Sequence, residues 1–274
     1  MTLPSVRALL DSVIDYAGLF PPAQLPMQAA AHNYATYLAG EHAWMLGRFV
    51  LPAARIEELA HPDWPLSILG PTSVPLPTSN AAFRLQTTIE LKAESPDDIE
   101  KSAGALPRDV TAYFELPIAA DPKPLIQTLA QLGARAKVRT GGVTPAAFPT
   151  SGDLARFILR CHEHDVPFKA TAGLHHPIRG SHPLTYEAGS PCHTMFGFLN
   201  VFLAAAFGRR GASIHAILEE ESVAAFSFQP DGIGWRDYFL TMADITSARQ
   251  NFAISFGSCS FEEPIRDLQA IRLL

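Results

Sequence analysis

The stretch ARAKVRTGGVTPAAFPTSGDLARFILRCHEHDVPFKATAGLHHP, residues 134–177, reads as strand, helix, strand. ARAKVRT (Ala134–Thr140) and VPFKATA (Val166–Ala172) are short apolar runs ending in Gly, as buried strands do. Between them, Ser151 precedes GDLARFILRC, where Leu154, Phe157, Ile158 and Cys161 fall on one helical face. Cys161 is therefore read as core packing. One helix joining two neighbouring strands is a parallel crossover unit.

The same alternation runs outward in both directions. Further strand candidates are Arg48–Ala53, Leu66–Gly70, Phe83–Leu91, Val110–Pro117, Ala224–Phe228 and Phe252–Gly257. A helix start stands at Asp121–Pro122, followed by Leu125, Leu129 and Leu132 at helical spacing. The order predicts an α/β chain, a single (β/α)8 TIM barrel over residues 1–274. The stretch from Gly173 to Gly257 is far longer than one βα unit needs. It predicts an insertion before the last strand, within 174–250, acting as a lid, an oligomer contact, or both. In that insertion AAFSFQPDGIGW reads as a strand, a turn at Asp231–Gly232 and an exposed Trp235. Asn200, inside the apolar run MFGFLNVFLAAAFG, requires a polar partner from loop backbone or substrate.

Composition sets the boundaries. The chain has 274 residues, 47% hydrophobic and 18% charged, with net charge −6, which points away from nucleic acid and anionic membrane surfaces. Three cysteines without paired spacing suggest neither a disulfide framework nor a metal site, hence a reducing cytoplasm. The N-terminus carries Asp11 and Asp15 and does not read as a signal peptide, and the run Met195–Gly208 is too short to span a bilayer.

Side chains alternate along a strand, so Arg135, Lys137 and Arg139 share one face, and Lys169, Thr171 and Gly173 share another. On adjacent barrel strands both lysines point into one interior. Two ammonium groups held close in a dry site repel, and desolvation penalises both charges, so either effect lowers a lysine pKa. A neutral lysine attacks carbonyl carbon to give a Schiff base. The alternative is structural: both lysines reach outward, or they pair with Glu90 and Glu115.

KVRTGG, a helix, then FKATAGLHH, with Lys137 and Lys169 32 positions apart, resembles the two-lysine region of the deoxyribose-phosphate aldolase family. FAISFGSCS resembles that family's turn after the last barrel strand, and RFVLPAARIEEL its second strand. VTAYFELPIAADPKPLIQTLAQLGARAKVRTGG keeps the same order of elements. The resemblance implies a class I aldolase with no cofactor and no metal. It implies Lys137 as Schiff-base lysine and Lys169 as the ammonium that tunes it. Glu90, Glu115 and Asp15 are the candidates for the proton relay, or for simple neutralisation of an interior lysine. Thr140, Gly141 and Gly173 would shape the strand ends. Gly257, Ser258 and Ser260 would offer donors to an anionic substrate group.

Two departures stand out. Arg139 replaces a small residue and suits a substrate carboxylate or phosphate. His175 and His176 stand where the family has turn residues, as acid/base groups, anion donors or metal ligands. Two rival functions follow: a metal-dependent lyase or hydrolase using His175 or His176 with His193 and a carboxylate, and a non-catalytic binding or assembly barrel. The expected partner is a small-molecule substrate, with a possible homo-oligomer.

Overall fold

A computed structural model describes residues 2–61, 63–70, 87–107 and 109–274. The first seven strands are β1 (Ile14–Tyr16), β2 (Leu46–Pro52), β3 (Leu66–Leu69), β4 (Thr88–Lys92), β5 (Thr111–Glu115), β6 (Arg135–Arg139) and β7 (Phe168–Thr171). They are followed by β8 (Gly180–Pro183), β9 (Cys192–Met195), β10 (Phe226–Gln229), β11 (Gly232–Trp235), β12 (Tyr238–Thr241) and β13 (Ala253–Ser258). The α-helices are α1 (Pro4–Leu10), α2 (Met27–Leu38), α3 (Pro96–Gly104), α4 (Lys123–Leu132) and α5 (Ser151–Glu163). After them come α6 (Phe198–Gly208), α7 (Ile214–Leu218), α8 (Met242–Asn251) and α9 (Glu262–Ala270).

Strands β1–β7 and β13 close into an eight-stranded barrel in which every pairing is parallel. The (β/α)8 expectation holds. Alternation sorts the side chains. Ile68, Phe114, Val138, Ala170 and Phe256 are buried in the core between barrel and helices. The intervening positions turn inward and are polar: Ser67 and Thr88 are register partners, as are Glu115, Lys137 and Lys169 in succession. The lysines are thus neighbours on adjacent strands.

Local chemistry explains the framing helices. Thr150 caps α5, one residue before the expected Ser151, and its hydroxyl accepts from Asp153 N–H at 3.1 Å. Gly133, left-handed at φ 64°, ends α4 and turns the chain into β6. Cys161 is fully buried in the core.

The strand candidates for the barrel are found with shifted ends, apart from Ala224–Phe228. That run forms β10, which pairs antiparallel with β11 in a separate sheet of β10–β12. The barrel's first strand is the short Ile14–Tyr16. Residues 83–86 of the Phe83–Leu91 candidate lie outside the described residues.

The long stretch between β7 and β13 divides into parts with different placements. The hairpin β8–β9 contributes Pro183, Leu184, Tyr186 and Met195 to the cavity described below. Helix α6 is buried along almost its whole length, with Phe198 stacked on Phe256 of β13 at 5.1 Å. The β10–β12 sheet lies beside α1, where Ser5 Oγ donates to the Gln229 carbonyl. Trp235 is 2% exposed and packs by Phe207, so the expected exposed tryptophan is a core residue of that sheet. Asn200 is satisfied by loop backbone. It donates to the Ile217 and Glu220 carbonyls at 2.8 and 2.7 Å and accepts from Arg179 N–H at 2.8 Å. Among the described residues, no helix is long and apolar enough to cross a membrane.

Candidate active site at the mouth of the barrel

A cavity of about 260 Å3 opens at the C-terminal ends of the strands, bordered by Leu69, Arg139, Thr171 and Gly257. Barrel enzymes place their chemistry at this end. The volume suits a small molecule rather than a drug-sized one.

Beneath it lies a layer of ion pairs. Lys137 Nζ is 2.6 Å from Glu90 Oε2 and 2.8 Å from Glu115 Oε2. Lys169 Nζ is 2.6 Å from Glu90 Oε1 and 2.6 Å from Asp15 Oδ2. Glu90 therefore bridges the two lysines, one oxygen to each. Asp15 also accepts from Ser255 Oγ at 2.7 Å and from Arg48 N–H at 2.8 Å. Ser67 Oγ donates to Glu90, and Lys169 lies 3.3 Å from Ser67 Oγ. Arg139 Nε reaches Glu115 Oε1 at 3.3 Å, with nearly half of its side chain exposed. Three carboxylates (Asp15, Glu90, Glu115) thus face three cations (Lys137, Lys169, Arg139), and the layer is neutral overall.

The electrostatics differ from two mutually repelling lysines. Burial opposes the charge on Lys169 most strongly, yet Asp15 and Glu90 together outweigh it and hold its pKa above the ordinary lysine range. Burial likewise opposes the charge on Glu90. The ammonium groups of Lys137 and Lys169 outweigh that too, leaving the carboxyl well below the usual range. Glu115 is lowered in the same way, against burial, by Lys137 and then Arg139. The pairing alternative raised by the sequence, lysines with Glu90 and Glu115, is therefore realised, with Asp15 as a further partner of Lys169.

The two lysines are not equivalent. Lys137 and Glu90 line the cavity, whereas Lys169, 1% exposed, lies behind them against the Tyr113 ring at 5.6 Å. Gly47 makes this packing possible, since a Cβ there would collide with Asp15 Oδ1.

The strand ends approach closely. Gly173 has φ +73°, and a Cβ on it would meet Gly141 Cα at 2.8 Å. Thr140 is buried and spends its N–H on the Thr171 carbonyl at 2.9 Å, while its hydroxyl bonds the Ala172 carbonyl. Thr140 and Gly141 hold the strand ends together, while Thr171 and Gly173 line the cavity.

The opposite wall is built by His175, His176, Tyr186 and α9. His175 Nδ1 lies 3.1 Å from Glu263 Oε2 and 3.5 Å from Ser258 Oγ. Tyr186 donates to Glu263 Oε2 at 3.1 Å. His176 Nδ1 is 2.6 Å from Asp267 Oδ2, and its ring stacks on His182 at 3.4 Å. Burial, then the neighbouring His176, lowers the pKa of His182. Ser258 and Ser260 turn their groups on one another. Ser258 Oγ donates to the Ser260 carbonyl at 2.7 Å, and Ser260 Oγ accepts from Glu263 N–H at 3.1 Å. Gly257 lines the cavity.

For the metal alternative, His193 is the register partner of His182, which stacks on His176, and its own ring packs on Phe148 at 4.7 Å. Among the described residues no three His, Cys, Asp or Glu side chains converge as metal ligands.

Sequence reasoning missed Ser67, Ser255, Tyr113, Glu263 and Tyr186. Ser67 and Ser255 carried a weak signal as polar residues at alternating positions of apolar strands. Glu263 carried one in the acidic start of the helix after FGSCS. Tyr186, in an irregular loop, carried none.

Fold and site together define a (β/α)8 barrel, a fold that is commonly enzymatic, with a mostly apolar-walled cavity at its C-terminal mouth over a buried layer of ion pairs. No protein-family model matches the chain, and no curated protein is significantly similar to it.

Proposed function

We propose that the protein is an aldolase-type lyase that makes or breaks a C–C bond in a small carbonyl substrate through a Schiff base on Lys137. One observation carries the reading: Lys137 is the lysine that borders the cavity while two carboxylates stand within 2.8 Å of its Nζ. A lysine needs its lone pair to attack, so it needs an adjacent base to take its proton. Glu115, the less buried of the two carboxylates, takes that role.

The Lys137 amine adds to the substrate carbonyl, and the carbinolamine loses water to give an iminium. In cleavage, Glu90, the carboxylate of the pair that lines the cavity, removes the proton of the hydroxyl two carbons away from the iminium carbon. The bond between the carbinol carbon and the carbon next to the iminium breaks, leaving an enamine on Lys137 and releasing an aldehyde. Protonation of the enamine carbon and hydrolysis release the second product and restore the amine. Lys169, fixed as an ammonium by Asp15 and Glu90, is a positioning residue that acts through Glu90. Arg139 shares Glu115 with Lys137 and offers its outer nitrogens to a substrate carboxylate beside the reacting carbonyl.

Solvent exchange tests this. With pyruvate, acetaldehyde or glyceraldehyde in D2O, enamine formation should wash deuterium into the carbon next to the carbonyl, as read by proton NMR. The Lys137→Met variant should leave exchange at the uncatalysed rate. Exchange that persists in that variant would contradict the role given to Lys137.

A further inference from the structure

The cations lining the cavity, Lys137 and Arg139, both belong to β6. The wall made by the turn after β13 and the start of α9 contributes no lysine or arginine to the cavity among the described residues. In barrels that bind phosphorylated substrates this corner commonly holds the phosphate, on backbone N–H groups of the turn and of a helix N-terminus.

Here that position is already taken. Glu263, in the first turn of α9, brings its own carboxylate to the corner, with His175 at 3.1 Å and Tyr186 at 3.1 Å on the same oxygen, Oε2. Burial opposes its charge, but His175, then His176 and Tyr186, outweigh burial and keep the carboxyl below its usual range. The N–H of Glu263, a donor that a bound anion would use, is spent on Ser260 Oγ. The Ser258 hydroxyl is spent on the Ser260 carbonyl. Asp267 adds a second carboxylate one turn further along, held by His176. A phosphate dianion entering this corner would meet the Glu263 carboxylate directly, with the charge of Asp267 behind His176, and donors already in use. A neutral hydroxyl would instead find a ready acceptor in Glu263 and a ring edge in His175.

We propose that Glu263, held by His175 and Tyr186, is a specificity-determining residue that rejects phosphorylated substrates and receives the hydroxyl-bearing, uncharged far end of the substrate. This deepens the Schiff-base reading by naming the substrate class. It rests on that reading for the chemistry, though not for the binding preference.

The test is a competition between D-glyceraldehyde and D-glyceraldehyde 3-phosphate at equal concentration, in the presence of cyanoborohydride. Adducts at Lys137 are resolved by mass. The unphosphorylated adduct should predominate at least tenfold in the wild-type protein. The Glu263→Gln variant, checked for a native circular-dichroism spectrum and a cooperative unfolding transition, should narrow that preference at least tenfold. Equal or preferential trapping of the 3-phosphate by the wild-type protein overturns the proposal.

A second measurement separates this inference from the Schiff-base reading. If neither aldehyde is trapped, the reading of Lys137 fails, and calorimetric titration with glycerol 3-phosphate decides the wall alone. The proposal then requires no binding to the wild-type protein at millimolar concentration and binding in Glu263→Gln. Binding to the wild-type protein with the same affinity as to the variant would overturn it.

Discussion

The floor of the cavity and its far wall are both built from carboxylates facing nitrogen bases, yet they differ in burial and therefore in use. On the floor, Asp15, Glu90 and Lys169 are 0–4% exposed, and several fixed donors surround the carboxylates. Such a layer cannot change its charge without large cost, because each ion's desolvation is offset only by its partners. On the wall, the side chains of His175 and Glu263 are 12% and 20% exposed and border the cavity. They can exchange a partner for substrate at modest cost. Lys137, at 3% exposed, is as buried as the floor to which Glu90 ties it, and differs from Lys169 in bordering the cavity.

The contrast can be broken from either side. The largest effect is expected for Lys137→Met, which should lower turnover by on the order of 10^4-fold or more, as removal of a covalent nucleophile does. Stability should fall too, though by less than in Lys169→Met, since Glu90 keeps Lys169 and Glu115 keeps Arg139. Lys169→Met should reverse the balance. It strips Asp15 of its cation and should cost about 3–5 kcal/mol in denaturant unfolding. A Lys169→Met protein as stable as the parent would mean the floor is not the rigid element described.

Next comes Ser255→Ala, which removes one donor from the Asp15 carboxylate and should cost about 1.5–3 kcal/mol. Tyr186→Phe, at the half-exposed wall, should cost no more than about 1 kcal/mol in chemical unfolding. A larger loss there would erase the distinction between wall and floor.

Stability against pH sharpens the same comparison. Glu90, Glu115 and Glu263 have lowered folded-state pKa values. Their contribution is complete above the unfolded carboxylate value of about 4.3 and is lost as pH falls through the folded values. Lys169 has a raised value, so its contribution is complete below about 10.4 and is lost as pH rises through the folded value. The unfolding midpoint from these groups should be flat between about pH 5.5 and 9 and fall on both sides. Stability that rises on acidification below pH 4 would contradict the assigned pairs.

Much of the barrel was legible because its signals are local. Alternation placed Lys137 and Lys169 on inward faces, and one intervening helix made their strands neighbours. Partner choice was less legible. Lys169 meets Asp15 across 154 positions of sequence, a contact created by closure of β1 onto β13. Local pattern therefore named both residues without showing that the acid would neutralise the lysine. Trp235 was misjudged for the same kind of reason: a turn signal beside it suggested a surface, while Phe207 from α6 covers it. The wall depended on Tyr186, whose loop gives no periodicity to read.

The central claim is that one lysine of the pair reacts and the other stays fixed. The most direct test is reduction with borohydride in the presence of a small hydroxy-aldehyde or 2-oxo acid, followed by proteolysis and peptide mapping of the added mass. The account predicts the adduct on Lys137, with Lys169 unmodified even at long incubation. An adduct on Lys169, or turnover of the carbonyl substrate with Lys137 left unmodified, would contradict it.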